Sequence, residues 1–106
     1  MEMEAVRPLR MEDTHLSLNS TISRAANLVA SELDNEVVMM SIELGEYYGF
    51  GKIGSEIWRQ LDKPITVKSI VGYFTDKYDV SIAQCQQDVL DFMQQLNAKG
   101  LIHISN

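Results

Sequence analysis

Cysteine and histidine are scarce in this chain of 106 residues, and their scarcity excludes much catalytic and metal chemistry. The single cysteine, Cys85, cannot form an internal disulfide, which fits a reducing compartment. The two histidines, His15 and His103, fall in segments that we predict to be a loose arm and a C-terminal extension. No HExxH, CxxC or Walker-type phosphate loop is present, and "GFGKIG" lacks the spacing of a phosphate loop and has its lysine misplaced for one. We therefore expect no catalytic residue, no metal and no cofactor, and a Cys85–histidine nucleophile pair is the alternative that the sequence leaves open.

Long hydrophobic runs and an excess of positive charge are also missing. No apolar run approaches the roughly 20 residues that a membrane span needs, and the N-terminus lacks the apolar stretch of a secretory signal. Fifteen acidic residues against nine basic ones give a net charge of −6, which disfavours nucleic acid or an anionic membrane as a partner. The composition predicts a cytoplasmic protein with one folded domain.

The chain divides into a polar N-terminal segment and a more apolar remainder. Residues 1–20, interrupted by Pro8, predict a flexible arm, and residues 21–106 predict the domain. Three short strands are expected from "LVASEL", "EVVMMSI" and "EYYGF". Asp34-Asn35 and Gly45 supply the turns between them. Strands joined by such short turns form an antiparallel meander in sequence order.

After Gly54 the hydrophobic period changes from two to about 3.6, which predicts three helices. Pro64 ends the first, Thr66 and Ser81 cap the second and third, and Gly100 ends the third before a final extended segment, "LIHIS". The residues expected to face the core are Ile53, Ile57, Trp58 and Leu61 in helix one, Val67, Ile70, Val71, Phe74 and Tyr78 in helix two, and Ile82, Cys85, Val89, Phe92, Met93 and Leu96 in helix three. The predicted fold is α+β and winged-helix-like, with a three-stranded antiparallel sheet followed by three helices.

A winged-helix fold raises the alternative of a DNA-binding regulator. Glutamines along helix three, such as Gln87 and Gln95, are able to touch base edges. The same helix carries Asp88 and Asp91 and no cation before Lys99, so it would repel phosphates. The sequence therefore favours a different partner for this domain.

The stretch "LGEYYGFGKIG", Leu44 to Gly54, has two interpretations. Its aromatic residues lie on a strand with one predicted neighbour, and no other segment is an obvious partner for the second edge. An unpaired edge attracts another chain unless it is charged or covered, so one interpretation is that an extended peptide adds here as a further strand. The other is that Phe50 and one tyrosine pack on the helices while the glycines turn the chain.

An ordered set of short patterns resembles a known family. It runs from the Asp34 turn through "GEYYG", "IGSEIW", "PITVKSIV", "YDV" and "QQDVLDFMQQL" to "GLI". The set is similar to the PqqD-like fold family, whose members bind leader peptides of ribosomally made precursors, and most similar to the small standalone proteins of lasso peptide biosynthesis. The resemblance implies a non-catalytic adaptor. It also implies delivery of the precursor to a transglutaminase-like leader peptidase, and then to an asparagine-synthetase-like cyclase.

The resemblance also implies a binding site. In the family the leader lies antiparallel to the third strand of the meander, in a groove between that strand and helix three. Carried over to this sequence, the strand contacts are Glu46, Tyr47, Tyr48, Gly49 and Phe50, and the groove wall is the exposed side of Asp88, Asp91, Phe92, Gln95 and Leu96. Ile57 and Trp58 match core positions of the family and are assigned to packing. Which face of strand 46–50 meets the peptide stays open.

Overall fold

A computed structural model of the chain describes residues 16–106. Its elements are β1 (Thr21–Arg24), β2 (Leu28–Leu33), β3 (Glu36–Ser41), β4 (Glu46–Gly49), α1 (Gly51–Gln60), β5 (Ile65–Thr66), α2 (Val67–Lys77), α3 (Ile82–Ala98) and β6 (Ile102–Ser105). The strands β2, β3 and β4 form the expected antiparallel meander, and three helices follow. The predicted α+β fold is confirmed.

The turns of the meander use the residues that the sequence indicated. Asp34 and Asn35 both have positive φ, 54° and 68°, which is the backbone of a two-residue hairpin turn between β2 and β3. Gly45, with φ of 66°, turns the chain from β3 into β4. The turns place Val29, Met40 and Tyr47 side by side on the outer face of the sheet.

A second small sheet was not predicted. It has the order β5-β1-β6, and β1 pairs antiparallel with both neighbours. Ahead of it, the Ser20 carbonyl accepts a hydrogen bond from Val67 N at 3.0 Å, and the Leu18 carbonyl accepts one from Lys68 N at 2.9 Å. Residues 16–20, which the sequence assigned to the arm, therefore lie against the start of α2. The rest of the predicted arm, with His15, falls outside the described residues.

The helix caps are as expected, but two predicted core residues are exposed. Thr66 accepts a hydrogen bond from Ser69 N, and Ser81 accepts one from Gln84 N. Ile53 and Ile82, by contrast, are 48% and 61% exposed, so their assignment to the core is wrong. Both lie in the first turn of a helix. The apolar pattern extends into that turn, but the neighbouring elements do not bury it.

The helices do not pack as one bundle, and this creates the candidate site. Helix α1 packs against β3, whereas α2 and α3 pack against each other. Ser55 fixes the first contact, because its hydroxyl accepts a 2.7 Å hydrogen bond from Val37 N and donates one to the Gly51 carbonyl. Helices α1 and α3 therefore stand apart over part of their length.

Candidate functional site

Strand β4 has one paired edge and one free edge within the described residues. Phe50 N donates to the Val37 carbonyl at 3.1 Å, so the pair Val37–Phe50 is hydrogen-bonded. Opposed pairs in an antiparallel ladder alternate between bonded and non-bonded. Tyr48 therefore directs its backbone N–H and C=O toward β3, whereas Tyr47 and Gly49 direct theirs to the free edge. Four backbone groups are available there to another chain.

The two faces of β4 differ in exposure and in the residues that they contact. Tyr47 is 71% exposed on the outer face. Tyr48 is half-buried on the opposite face, where its hydroxyl donates to Glu46 and the Lys99 ammonium lies 5.1 Å from the centroid of its ring. Since Lys99 ends α3, the face that carries Tyr48 is the face that meets helix α3.

Phe50 was expected to belong to the strand, and this expectation is wrong. Strand β4 ends at Gly49, and Phe50 is the N-cap of α1 with helical backbone angles. Its ring is half-buried in an edge-to-face cluster, 5.4 Å from Trp58 and 5.9 Å from Phe92 between centroids. Phe92 comes from α3, so this cluster joins the two walls at the β4 end. Gly54 permits the approach, since a Cβ there would lie 3.1 Å from Phe92 Cζ.

An apolar cleft of about 950 Å³ begins at this cluster and runs between α1 and α3. Its lining is Phe50, Ile53, Gly54 and Ile57 from the α1 side, Gln84, Cys85, Asp88, Val89, Asp91, Phe92 and Gln95 from α3, and Phe74, Tyr78, Val80 and Ser81 at the far end. Ile53 and Ile57 were both predicted to lie in the core, which is right for Ile57 and wrong for Ile53, and the α1 wall of the cleft was not predicted. A helix that lines an apolar cleft and a helix that faces the core have the same apolar stripe, so the residue types alone do not distinguish the two.

The α3 wall contains most of the residues that the resemblance implied. Asp88, Asp91 and Gln95 are exposed along the cleft, and Phe92 is half-buried in it. Gln84 lies one helical turn before Asp88, and its side-chain amide donates a hydrogen bond of 2.8 Å to the Asp88 carboxylate. Leu96 differs: it is 2% exposed and belongs to the core. Its expected place on the exposed wall is therefore wrong, because the helical period turns position 96 inward beside Val89.

Cys85 and the described histidine, His103, differ in their surroundings. Cys85 is buried, and this burial raises the pKa of its thiol, which keeps the sulfur protonated and unreactive. His103 is exposed on β6. Among residues 16–106 no three His, Cys, Asp or Glu side chains are grouped to hold a metal ion. No helix in the described part of the chain is long and apolar enough to cross a membrane.

Comparisons with known proteins agree with this geometry. The family described as coenzyme PQQ synthesis protein D (PqqD) matches residues 36–102, which include β3, β4 and all three helices. A solved structure described as TbiB1 in complex with the TbiA(beta) leader peptide has a TM-score of 0.72 to this chain. The two are 29% identical, and the match covers 76% of this chain and 93% of that one. The comparison with curated proteins returned no match.

Proposed function

Because this chain belongs to the PqqD family, we propose that it binds the leader peptide of a ribosomally made precursor, of the lasso type, by strand addition to the free edge of β4. The observation that carries the proposal is the junction of an unpaired strand edge with an apolar cleft. The similarity to TbiB1, which was solved in complex with a leader peptide, supports leader binding by this chain.

The alternation of a strand determines how such a peptide would be held. Tyr47 and Gly49 would exchange backbone hydrogen bonds with it, and these would supply affinity for any extended sequence. Alternate peptide side chains would then face the same way as Tyr48, toward α3 and the cleft, which would select particular apolar anchors. The proposed contact residues are Glu46, Tyr47, Tyr48, Gly49, Phe50, Asp88, Asp91, Phe92 and Gln95, with Leu96 supporting the wall from behind.

We further propose that the protein acts as an adaptor in the cytoplasm and does not itself cleave the peptide. Residues 21–106 would be the binding domain, and residues 16–20, which lie against the start of α2, would pack on it. The bound precursor would pass to a transglutaminase-like leader peptidase and then to an asparagine-synthetase-like cyclase. Mass spectrometry of the precursor incubated with this protein alone should show the intact peptide, and a cleaved leader would contradict the adaptor role.

A matched pair of substitutions at Gly49 tests the strand addition. Gly49→Ala keeps the backbone N–H, and its Cβ would meet no atom within 4 Å. Gly49→Pro removes that N–H from the free edge. In a fluorescence-polarisation titration with the leader encoded beside the gene, the alanine variant should bind like the wild type and the proline variant much more weakly. Equal binding by both variants, with both folded, would contradict pairing at this edge.

A further inference from the structure

A cluster of hydrogen bonds around Glu56 joins α1 to the end of α2. The carboxylate accepts three hydrogen bonds: from the Lys77 ammonium at 2.6 Å, from the Tyr78 hydroxyl at 2.6 Å and from the Tyr73 hydroxyl at 2.9 Å. The Glu56 side chain is only 11% exposed although it is charged. The donors hold the pKa of Glu56 at about 2, with the Lys77 hydrogen bond as the largest cause. The carboxylate is therefore ionised at neutral pH.

The position of this cluster relates it to the cleft. Glu56 precedes Ile57, which lines the cleft from α1. Its partner Tyr78 lines the far end of the cleft, where its ring stacks on Phe74 with centroids 5.9 Å apart. The cluster therefore joins the α1 side of the cleft to its far end.

The cleft has two tie points, one at each end. At the β4 end the rings of Phe50 and Phe92 bring α1 and α3 together. At the other end the Glu56 carboxylate holds α1 to Tyr78, which leads into α3. Between them α1 packs mainly on β3 rather than on α3. A change in either contact would therefore alter the distance between α1 and α3 along the cleft.

We propose that Glu56 is a positioning residue that sets the width of the far end of the cleft, and thereby determines which apolar anchor the peptide can place there. This inference rests on the proposed peptide binding for its consequence, but the geometry can be tested in the free protein. Glu56 itself does not line the cleft, so it acts through Tyr78 and through the position of Ile57.

Replacing Glu56 with glutamine should loosen this end. An amide offers one acceptor oxygen, which can accept from at most two of the three donors, and its NH₂ group meets the third. The charge that pairs with Lys77 and at least one of the three accepted hydrogen bonds are therefore lost. Tyr78→Phe is the milder variant, since it removes one hydrogen bond and keeps the ring that forms the end of the cleft.

The matched control is Glu32→Gln. Glu32 pairs with Arg59 of α1 through two hydrogen bonds of 2.8 and 3.0 Å, so it too is a carboxylate that ties α1 to a neighbouring element. Neither partner lines the cleft between α1 and α3. A loss of binding caused by weakening any ion pair on α1 would appear in both variants, whereas a loss caused by cleft geometry would appear only at Glu56.

The experiment measures two quantities on each folded variant. The first is the set of nuclear Overhauser effects between Ile57 methyls and the Tyr78 ring in the peptide-free protein, which should weaken in Glu56→Gln and remain in Glu32→Gln. The second is the affinity for the leader encoded beside the gene, which should fall about tenfold in Glu56→Gln, about threefold in Tyr78→Phe and not at all in Glu32→Gln.

The outcomes separate this inference from the proposed function. If the wild type fails to bind the leader, the proposed function is wrong, while the Overhauser effects still show whether Glu56 sets the width. If Glu56→Gln keeps both the Overhauser effects and the wild-type affinity, the positioning role is refuted. If Glu56→Gln does not fold, the same result for Tyr78→Phe refutes it. A leader shortened to its strand-forming residues should bind all variants equally, and unequal binding would also contradict a role confined to the cleft.

Discussion

Gly54→Ala tests whether the close approach of α1 and Phe92 shapes the cleft. Gly54 lies inside α1, where alanine is favoured over glycine by roughly 1 kcal/mol when nothing obstructs its methyl group. Here a Cβ would lie 3.1 Å from Phe92 Cζ and 3.2 Å from Phe50 Cβ. The Phe92 ring can move toward the cleft, but Phe50 Cβ is attached to the backbone and cannot move as freely.

The expected result is a balance of two effects of similar size. Crowding a packed site typically costs about 1–3 kcal/mol, so the gain in helix propensity should be cancelled or exceeded. We expect Gly54→Ala to lower the free energy of unfolding by about 0–2 kcal/mol. The displaced Phe92 ring should also narrow the mouth of the cleft and weaken leader binding severalfold.

Gly72→Ala is the matched control, because Gly72 is also a helical glycine and a Cβ there would meet nothing within 4 Å. That variant should be stabilised by about 0.5–1 kcal/mol with unchanged leader binding. Chemical denaturation followed by circular dichroism measures the first quantity, and fluorescence polarisation measures the second. If Gly54→Ala were as stable as Gly72→Ala and bound the leader normally, the approach of Phe92 would not shape the site.

Three further predictions concern other parts of the molecule. Trp58 is 2% exposed, so Trp58→Ala should cost about 3–5 kcal/mol of the roughly 5–15 kcal/mol that holds such a domain together; wild-type melting would show that the ring does not support the core. Asp91→Lys inverts a charge on the cleft rim and should change leader affinity at an unchanged melting temperature, whereas an unchanged affinity would remove Asp91 from the site. The pKa of Glu56 lies below its ordinary value of 4.5, at about 2, so its contribution to stability is present above pH 4.5 and is lost as the pH falls toward 2. The difference in unfolding free energy between wild type and Glu56→Gln should therefore shrink from neutral pH to about pH 3. A difference that stays constant would contradict the lowered pKa of Glu56.

The sequence predicted those elements whose local signals agree with their tertiary environment. The Asp34-Asn35 hairpin, the Thr66 and Ser81 caps and the apolar stripe of α2 each depend on neighbours within a few residues. Local signals of this kind can be recognised in a sequence because their effect does not depend on the rest of the fold. The three-stranded meander and the three helices could therefore be assigned from the sequence alone.

The elements that were missed depend on distant partners. Strand β1 has four residues and β5 only two, and they pair across more than forty positions of the chain. A strand so short has little period of its own. Ile53 shows the same limit at the site: its place in the apolar stripe was read correctly, but only the separation of α1 from α3 makes it a cleft residue rather than a core residue.

The most direct test of leader binding at β4 is backbone amide NMR of the protein with increasing leader peptide. We expect Tyr47 and Gly49 to shift and to become protected from hydrogen exchange, because their N–H groups face the free edge. Tyr48 N–H is already directed to β3, so its protection should change little, while amides of residues 88–95 should shift with the cleft. Shifts confined to β2 or to the N-terminal arm, with residues 46–50 and 88–95 unchanged, would contradict leader binding at this edge.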